Sequence, residues 1–328
     1  MNFWKNAASP TWLDLLTFFP QPGYIRKTPA LRPTVNGVDP ERATVDAVEE
    51  ITQFWNMYYK GSDWRMNLST EHVASYLKDP TVYVITLKNH NDLIATIVST
   101  PFPLAMSHGG ECHTARIIEG LVVHPLYREQ GIAGLMIAYA DYLTSQKGPV
   151  CHLWAREEMI PSPLSTAIAK QTYSYALPEE IVLINHTVNK IPWEKFLEEN
   201  PVRQPKGKVP WVSGVVPQNR RGDLDVWRSQ NAKGKMNWQH VIVANTRRVE
   251  TKTNRPIYEI IWCSSTPQTG LLESIVSHYN GPVFTTIPSS ELTGEWHTGR
   301  SGYQLWYMYN YIPPAFGNCV VDLIREEL

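Results

Sequence analysis

Residues 114–133 read TARIIEGLVVHPLYREQGIA. The β-branched run as far as Val123 predicts a strand. His124-Pro125 ends it in a tight loop, and Arg128-x-x-Gly131-x-Ala133 opens an amphipathic helix of about four turns. The first amides of a helix have no intrahelical acceptor and carry partial positive charge. A diphosphate can dock there. Gly131 lets a ligand approach the backbone closely, and Arg128 can add a charge-assisted contact.

Outward from this stretch the chain alternates strand and helix signals. Residues 1 to 45 are Pro-rich, with one short helix expected near Trp12 to Phe18. Val45, Val48, Ile51, Phe54 and Trp55 recur at helical spacing and predict a helix over 40–59. Asp63-Trp64-Arg65 reads as a surface turn. Ser69 is an expected N-cap for a helix to Leu77. VYVITLK (82–88) and LIATIVSTPF (93–102), joined by Asn89-His90-Asn91-Asp92, predict a hairpin. VCHLWA (150–155) predicts a strand and PLSTAIAKQTYSYAL (163–177) a helix. Residues 200–235 are rich in Pro, Lys and Arg and give the expected boundary between two domains, 1–200 and 201–328. HVIVAN (240–245), IYEIIWCS (257–264), PVFTTI (282–287), YQLWYMYNY (303–311) and CVVDLIRE (319–326) follow as strands, with a helix from Thr269-Gly270. The repeated order strand–helix–strand implies an α+β fold of two similarly built halves.

Composition removes several function classes. Hydrophobic residues make up 43% of the 328 and charged residues 19%, enough for a packed core. Lys and Arg total 30 against 31 Asp and Glu, so no basic surplus points to nucleic acid. The four cysteines, Cys112, Cys151, Cys263 and Cys319, have no CxxC spacing, so no metal site is expected. The start, MNFWKNAASPTW, lacks the apolar core of a signal peptide. The longest apolar stretch, Gly131 to Ala140, is too short to span a bilayer. A cytoplasmic protein without stable membrane insertion is the expectation. The 12 Trp and 16 Tyr suit either a core rich in aromatics or a long groove with one wet edge. His113 and His124 lack partners at ligand spacing and read as structural.

The loop Arg128-Glu129-Gln130-Gly131-Ile132-Ala133 resembles the acyl-CoA loop of the GNAT superfamily, [Q/R]-x-x-G-x-[G/A]. More narrowly, the chain looks like a shortened, divergent protein N-myristoyltransferase, a double-GNAT fold. Ile117-Ile118-Glu119-Gly120-Leu121-Val122-Val123-His124 lies without a gap over that family's Glu-Ile-Asn-Phe-Leu-Cys-x-His block. WRMNLSTEHVASYLKDP (64–80), Ile160-Pro161-Ser162-Pro163, TPQTGLLESIV (266–276) and LWYMYNYIPPAFGNC (305–319) resemble further family segments in the family's order. Phe3-Trp4 resembles the Phe-Trp near the family's catalytic-domain start.

What the resemblance implies is transfer of a long-chain acyl group, most simply myristoyl, from acyl-CoA to the N-terminal glycine amine of a partner protein. Acyl-CoA is then a co-substrate, and no tightly bound cofactor is expected. Backbone N–H groups of Gly120 and Leu121, at a bulged strand edge, would hold the thioester carbonyl as it becomes an oxyanion. Phe3, Trp4, Gly120, Leu121, Val122, Val123 and Arg128 to Ala133 would bind the acyl-CoA. The C-terminal carboxylate, here of Leu328, would accept the ammonium proton. The end runs about two residues past the family's, so Glu326 or Glu327 is an alternative base.

The family's Lys-Phe-Gly-x-Gly-Asp-Gly block is replaced by Trp296-His297-Thr298-Gly299-Arg300-Ser301-Gly302. Ser301 stands where the family has an acid, and Arg300 reverses the local charge. The family's Tyr-Thr-Ala-Gly becomes Trp154-Ala155-Arg156-Glu157. A small-acyl acetyltransferase and a catalytically inactive relative of the same fold are the alternatives.

Overall fold

The computed structural model describes residues 23–24, 28–33, 39–105, 112–156, 169–181, 187–199, 223–230, 238–264, 270–285, 287, 292, 296–309 and 311–312. The expected helix near Trp12 to Phe18 and the expected strand 319–326 lie outside them.

In chain order the first strands are β1 (Gly23–Tyr24) and β2 (Glu41–Arg42). A 3-10 turn at Val45–Ala47 leads into α1 (Val48–Tyr58). The helix predicted from residue 40 therefore starts later: Glu41 and Arg42 pair with Thr86 and Ile85 instead. Next come β3 (Trp64–Met66) and α2 (Thr70–Lys78). Ser69 caps α2 by accepting the His72 N–H, as expected from sequence.

The predicted hairpin is β4 (Tyr83–Asn89) and β5 (Asp92–Ala105), and β6 (Cys112–Val123) follows. The crossover helix α3 (Ile132–Ser145) connects β6 to β7 (Cys151–Arg156). Then come β8 (Ala169–Ala176), β9 (Val188–Ile191), α4 (Trp193–Glu199) and β10 (Leu224–Gln230). The chain continues through β11 (Trp238–Glu250), β12 (Pro256–Cys263), α5 (Leu271–Val276), β13 (Val283–Thr285), β14 (His297–Tyr309) and β15 (Tyr311–Ile312).

Two sequence expectations are corrected. Residues 169–176, placed in a helix, form β8 between β14 and β13. Tyr173, Ser174, Tyr175 and Ala176 alternate between half-buried and buried positions, and Thr and Tyr suit a pleated surface. Two neighbouring strands supply hydrogen bonds along both edges, and these override the weak helical periodicity. Asp63-Trp64-Arg65 is no free turn either: Trp64–Met66 pairs with the end of β11, and the Arg248 guanidinium lies 4.2 Å from the Trp64 ring centroid.

β1 pairs with β15, and the remaining strands form one thirteen-stranded sheet. Its order is β2-β4-β5-β6-β7-β14-β8-β13-β12-β11-β10-β9, with β3 added on β11. The order mirrors itself about its centre. β6 and β7 are parallel and joined through α3, and β12 and β13 are parallel and joined through α5. The strand that follows each parallel pair crosses over: β8 pairs with β13, and β14 pairs with β7. Both faces of each half carry apolar clusters. Ile85, Leu87 and Ile97 pack under α3, while Val84, Val98 and Val122 pack under α1 and α2. In the second half, Val241, Val243 and Ile260 meet α5, whereas Ile242, Ile261 and Val226 meet Phe196 of α4. The alternation Val84/Ile85 and Ile242/Val243 is the period-two pattern of strands covered on both sides.

Candidate active site

The stretch that predicts the site builds three features at one end of β6. The first is a bulge. Thr96 of β5 pairs with Val122 and Val98 pairs with Glu119, so Gly120 and Leu121 together face Ile97. Gly120 takes φ +58, and an added Cβ would lie 3.0 Å from Val98 Cγ2 and 3.5 Å from Trp55 Cζ2. Only glycine accepts both the left-handed backbone and that contact. A buried relay fixes the bulge. Trp55 Nε1 donates to Thr96 Oγ1 at 2.6 Å, and that hydroxyl donates to the Gly120 carbonyl at 3.1 Å.

The second feature is a parting of strands. β6 and β7 pair only over Ala115–Ile117 and Cys151–Leu153. Beyond, β6 runs on to Val123 and β7 to Arg156 with no ladder between them among the described residues. Gly120 and Leu121 thus sit where the regular pairing to both neighbours breaks.

The third feature is the helix start. Leu135 N–H to the Gly131 carbonyl (3.1 Å) is the first helical hydrogen bond of α3, so the amides of Ile132, Ala133 and Gly134 have no acceptor within the helix. Gly131, at φ 80, supplies no side-chain cap. The loop before it is held from below. His124 N–H donates to the Ile94 carbonyl at 2.8 Å, and Asn89 Nδ2 donates to the Tyr127 hydroxyl at 3.1 Å. The Tyr58 ring lies 4.6 Å from that of His124. His124 Nδ1 accepts the Leu126 N–H, the structural part expected of it. Arg128 Nε donates to the Val123 carbonyl (3.1 Å), which holds its guanidinium beside the loop while the residue stays exposed.

The expected acyl-CoA residues therefore divide. Gly120 and Leu121 lie near the end of β6 and Arg128, Gly131, Ile132 and Ala133 at the start of α3, but the Leu121 and Ile132 side chains pack into the core under that helix, so these two offer only their main chains. The Val122 side chain is buried in the core and that of Val123 packs under α3, so only their main chains are available. Gln130 donates to the Leu126 carbonyl (3.0 Å), and Glu129 sits at φ 63 with an exposed carboxylate. An acid beside an anion site repels it, so Glu129 can serve only through its backbone. Phe3, Trp4 and Leu328 lie outside the described residues. Of Arg300 and Ser301, only their place in β14 is described.

The second half repeats the device in closed form. β12 has a bulge at Ile261, and Gly270 precedes α5 with φ 81, close to Gly131. Yet Gly270 and all of α5 are buried, and Glu273 stands in the first turn, accepting Trp296 Nε1 at 3.1 Å. A carboxylate in that first turn already supplies the negative charge that a helix start favours. The open helix start belongs to the first half.

Sequence reading missed Glu259. Its signal was a lone acid inside the apolar run Ile257 to Ile261 of β12. Burial raises its carboxyl to about 7, against the pull of Arg248. Ionising it in the fold thus costs free energy. The stabilisation is complete below the unfolded-state range near 4.5 and is lost as pH rises through 7. Gln imitates the protonated acid at every pH. Glu259→Gln is therefore expected to raise stability by about 2 kcal/mol at pH 8, discounted for the water that reaches a half-buried carboxyl, and by almost nothing at pH 4. Thermal melts at the two pH values check this; equal shifts at both would contradict it.

No protein-family model matches this sequence, and no curated protein matches it. Solved structures do resemble it. The crystal structure of Saccharomyces cerevisiae N-myristoyltransferase with bound myristoyl-CoA superposes with a TM-score of 0.64 at 13% identity, over 95% of this chain and 93% of that one. A structure of the yeast enzyme with bound myristoyl-CoA and inhibitors gives 0.63 at 13% identity, over 99% and 94%. A GCN5-related N-acetyltransferase from Kribbella flavida gives 0.49 at 10% identity, over 83% and 70%. The fold is thus α+β with two GNAT-like halves on the N-myristoyltransferase pattern. No helix among the described residues is long and apolar enough to cross a membrane.

Proposed function

We propose that the protein is an acyl-CoA-dependent acyltransferase that moves a long-chain acyl group, myristoyl in the first instance, onto the N-terminal glycine amine of a cytoplasmic partner protein. The observation that carries this is a coincidence of position: the bulge at Gly120–Leu121, the parting of β6 from β7 and the open start of α3 meet at one place. In this proposal residues 1–200 hold the acyl-CoA. Residues 201–328 contribute much of the peptide groove and the terminal carboxylate.

The steps follow from the chemistry. The diphosphate of CoA lies against the amides that open α3, with Arg128 beside it. The thioester carbonyl oxygen faces the Gly120 and Leu121 amides. The free amine attacks the carbonyl carbon and the oxygen becomes anionic. Hydrogen bonds aimed at that developing charge lower the barrier. The C–S bond then breaks, an amide forms and the CoA thiolate departs. The amine's proton goes to a base, for which Leu328's carboxylate is our candidate and Glu326 or Glu327 the alternatives. No side-chain nucleophile is required.

Mass spectrometry of a glycine-starting octapeptide incubated with the protein and either myristoyl-CoA or acetyl-CoA tests this. A mass gain of one myristoyl group, with myristoyl-CoA preferred by more than about 10³-fold, is expected, because each buried methylene contributes up to about 0.8 kcal/mol. Preference for acetyl-CoA would move the protein to the small-acyl acetyltransferases. Binding of myristoyl-CoA without any transfer would leave a binding protein of the same fold.

A further inference from the structure

A bulge in the second half is tied to the bulge at Gly120 through the core of the first. In β11, Asn245 pairs with Tyr258 and Arg248 with Ile257, so Thr246 and Arg247 fall outside the ladder. Arg247 takes φ 57, a left-handed backbone that is costly for a long side chain. The Asn245 side chain holds it there by accepting the Arg247 N–H at 2.9 Å. From this strained position Arg247 reaches the first half by two routes. Its carbonyl accepts the Asn67 N–H at 2.8 Å. Its guanidinium donates to Asp223 Oδ1, and the other oxygen of that carboxylate lies 3.2 Å from His72 Nδ1 of α2. Burial pushes the Asp223 carboxyl up, but the hydrogen bonds and charges of His72 and Arg247 outweigh it and hold the group below its ordinary range.

Both routes end at Trp55. The His72 ring lies 5.2 Å from that of Tyr76, one turn further along α2, and the Tyr76 ring meets the Trp55 ring edge-on at 6.4 Å. On the second route, Asn67 leads to Leu68. The Leu68 N–H donates to Asn56 Oδ1 at 2.8 Å, and its carbonyl accepts from Asn56 Nδ2 at 2.9 Å. Asn56 is the neighbour of Trp55 in α1. Trp55 touches the bulge of β6 in two ways: its indole N–H donates to the Thr96 hydroxyl that holds the Gly120 carbonyl, and its ring edge stands 3.5 Å from where a Gly120 Cβ would lie. Trp55, Tyr76 and Thr96 are buried, and side chains in a close-packed interior do not reorient independently. Packing between the halves accounts for the buried rings. It does not account for a left-handed arginine, since glycine or asparagine would adopt that backbone at less cost.

We propose that Arg247 and Asp223 are positioning residues: by fixing α2 and the segment at Asn67–Leu68 they set the Trp55 ring, and through it the Gly120 and Leu121 amides that receive the oxyanion. The effect on rate rests on the acyltransferase reading above; the effect on Trp55 does not. The half assigned to the acceptor then also shapes the hydrogen-bond donors of the half assigned to acyl-CoA.

The test uses the full chain in two variants. Arg247→Gly removes the guanidinium but suits φ 57, so the fold and the carbonyl contact with Asn67 are kept. Asp223→Asn keeps the shape and removes the charge. Hydrogen exchange of the Trp55 indole N–H, followed by NMR without any ligand, is expected to quicken about tenfold in each. The Ile85 amide, in β4 under α3 of the same half, should keep its rate, whereas a general loss of stability would quicken both. With myristoyl-CoA and a glycine-starting octapeptide, kcat is expected to fall about fivefold while the KM for acyl-CoA holds. Added to Thr96→Val, Asp223→Asn should cost nothing more, because both act on one contact. Unchanged Trp55 exchange in either variant, equal quickening at Trp55 and Ile85, or full additivity with Thr96→Val overturns the proposal. If exchange quickens at Trp55 and not at Ile85, yet the wild type transfers no acyl group, the positioning stands and the transferase reading falls.

Discussion

Replacing Gly120 by Val is expected to lower the rate of acyl transfer by about 10²–10³, the usual cost of losing one oxyanion donor. The cause is the backbone. Gly120 holds φ +58 inside a bulge, with Val98 Cγ2 only 3.0 Å from where a Cβ would stand. A β-branched residue is strained at that φ, by about 1–3 kcal/mol. It also presses on the Val98 and Trp55 side chains. The strand relieves both by flattening the bulge, and the amides of residues 120 and 121 rotate back toward the regular ladder. The loss belongs in kcat, because the carbonyl oxygen needs these donors most when it carries charge. The KM for acyl-CoA should move little, since the proposed binding mode puts the diphosphate contacts at α3. Thr96→Val is the milder companion. It removes the hydroxyl that donates to the Gly120 carbonyl and accepts from Trp55, and leaves the glycine in place. Steady-state kinetics with melting curves separate the effects. Turnover within a factor of about three of wild type in Gly120→Val, with melting lowered, would remove the oxyanion assignment and leave the bulge a packing feature.

Gly131→Asp should separate binding from folding. The residue precedes α3 at φ 80, a conformation aspartate tolerates better than most side chains. Its carboxylate would face the unpaired amides of the first turn, which favours the helix by about 0.3–1 kcal/mol and offsets the strain of the positive φ. The same carboxylate would occupy the diphosphate position and repel its charge. Two like charges about 5 Å apart near a protein surface repel by roughly 3 kcal/mol before screening, so a loss of affinity for CoA of about a hundredfold is expected. Melting temperature should stay within a few degrees of wild type. Arg128→Ala provides the scale, because an exposed cation contributes less than a hundredfold. Calorimetry with CoA alone gives the readout. Unchanged affinity in Gly131→Asp would mean that the anion does not sit at this helix.

The closed second half sharpens both expectations. Gly270 and Gly131 have nearly the same φ, and both halves place a bulge in the strand before the crossover helix. What differs is cover. α5 is wholly buried with Glu273 in its first turn, whereas residues 128–131 are exposed. From sequence, TPQTGLLESIV and YREQGIAGLMI look equally able to open a helix after glycine.

Local chemistry determined a good deal of this protein. Gly120 and Gly131 could be singled out because their sequence neighbours define a strand end and a helix start, and the hairpin at 89–92 and the Ser69 cap follow from contacts a few residues apart. Where neighbours along the chain decide the conformation, the chain alone is enough. β8 was misread because its partners are 100 and more residues away, and a strand held on both edges needs little propensity of its own. The parting of β6 from β7 is a relation between two strands that no single segment encodes. Glu259 shows the same division. Its place in an apolar strand is written in the sequence, but the burial that raises its carboxyl exists only once β11 and β13 have closed on β12. Long-range pairing is chosen by the burial it achieves across the whole sheet, so only the tertiary structure decides which surfaces stay open.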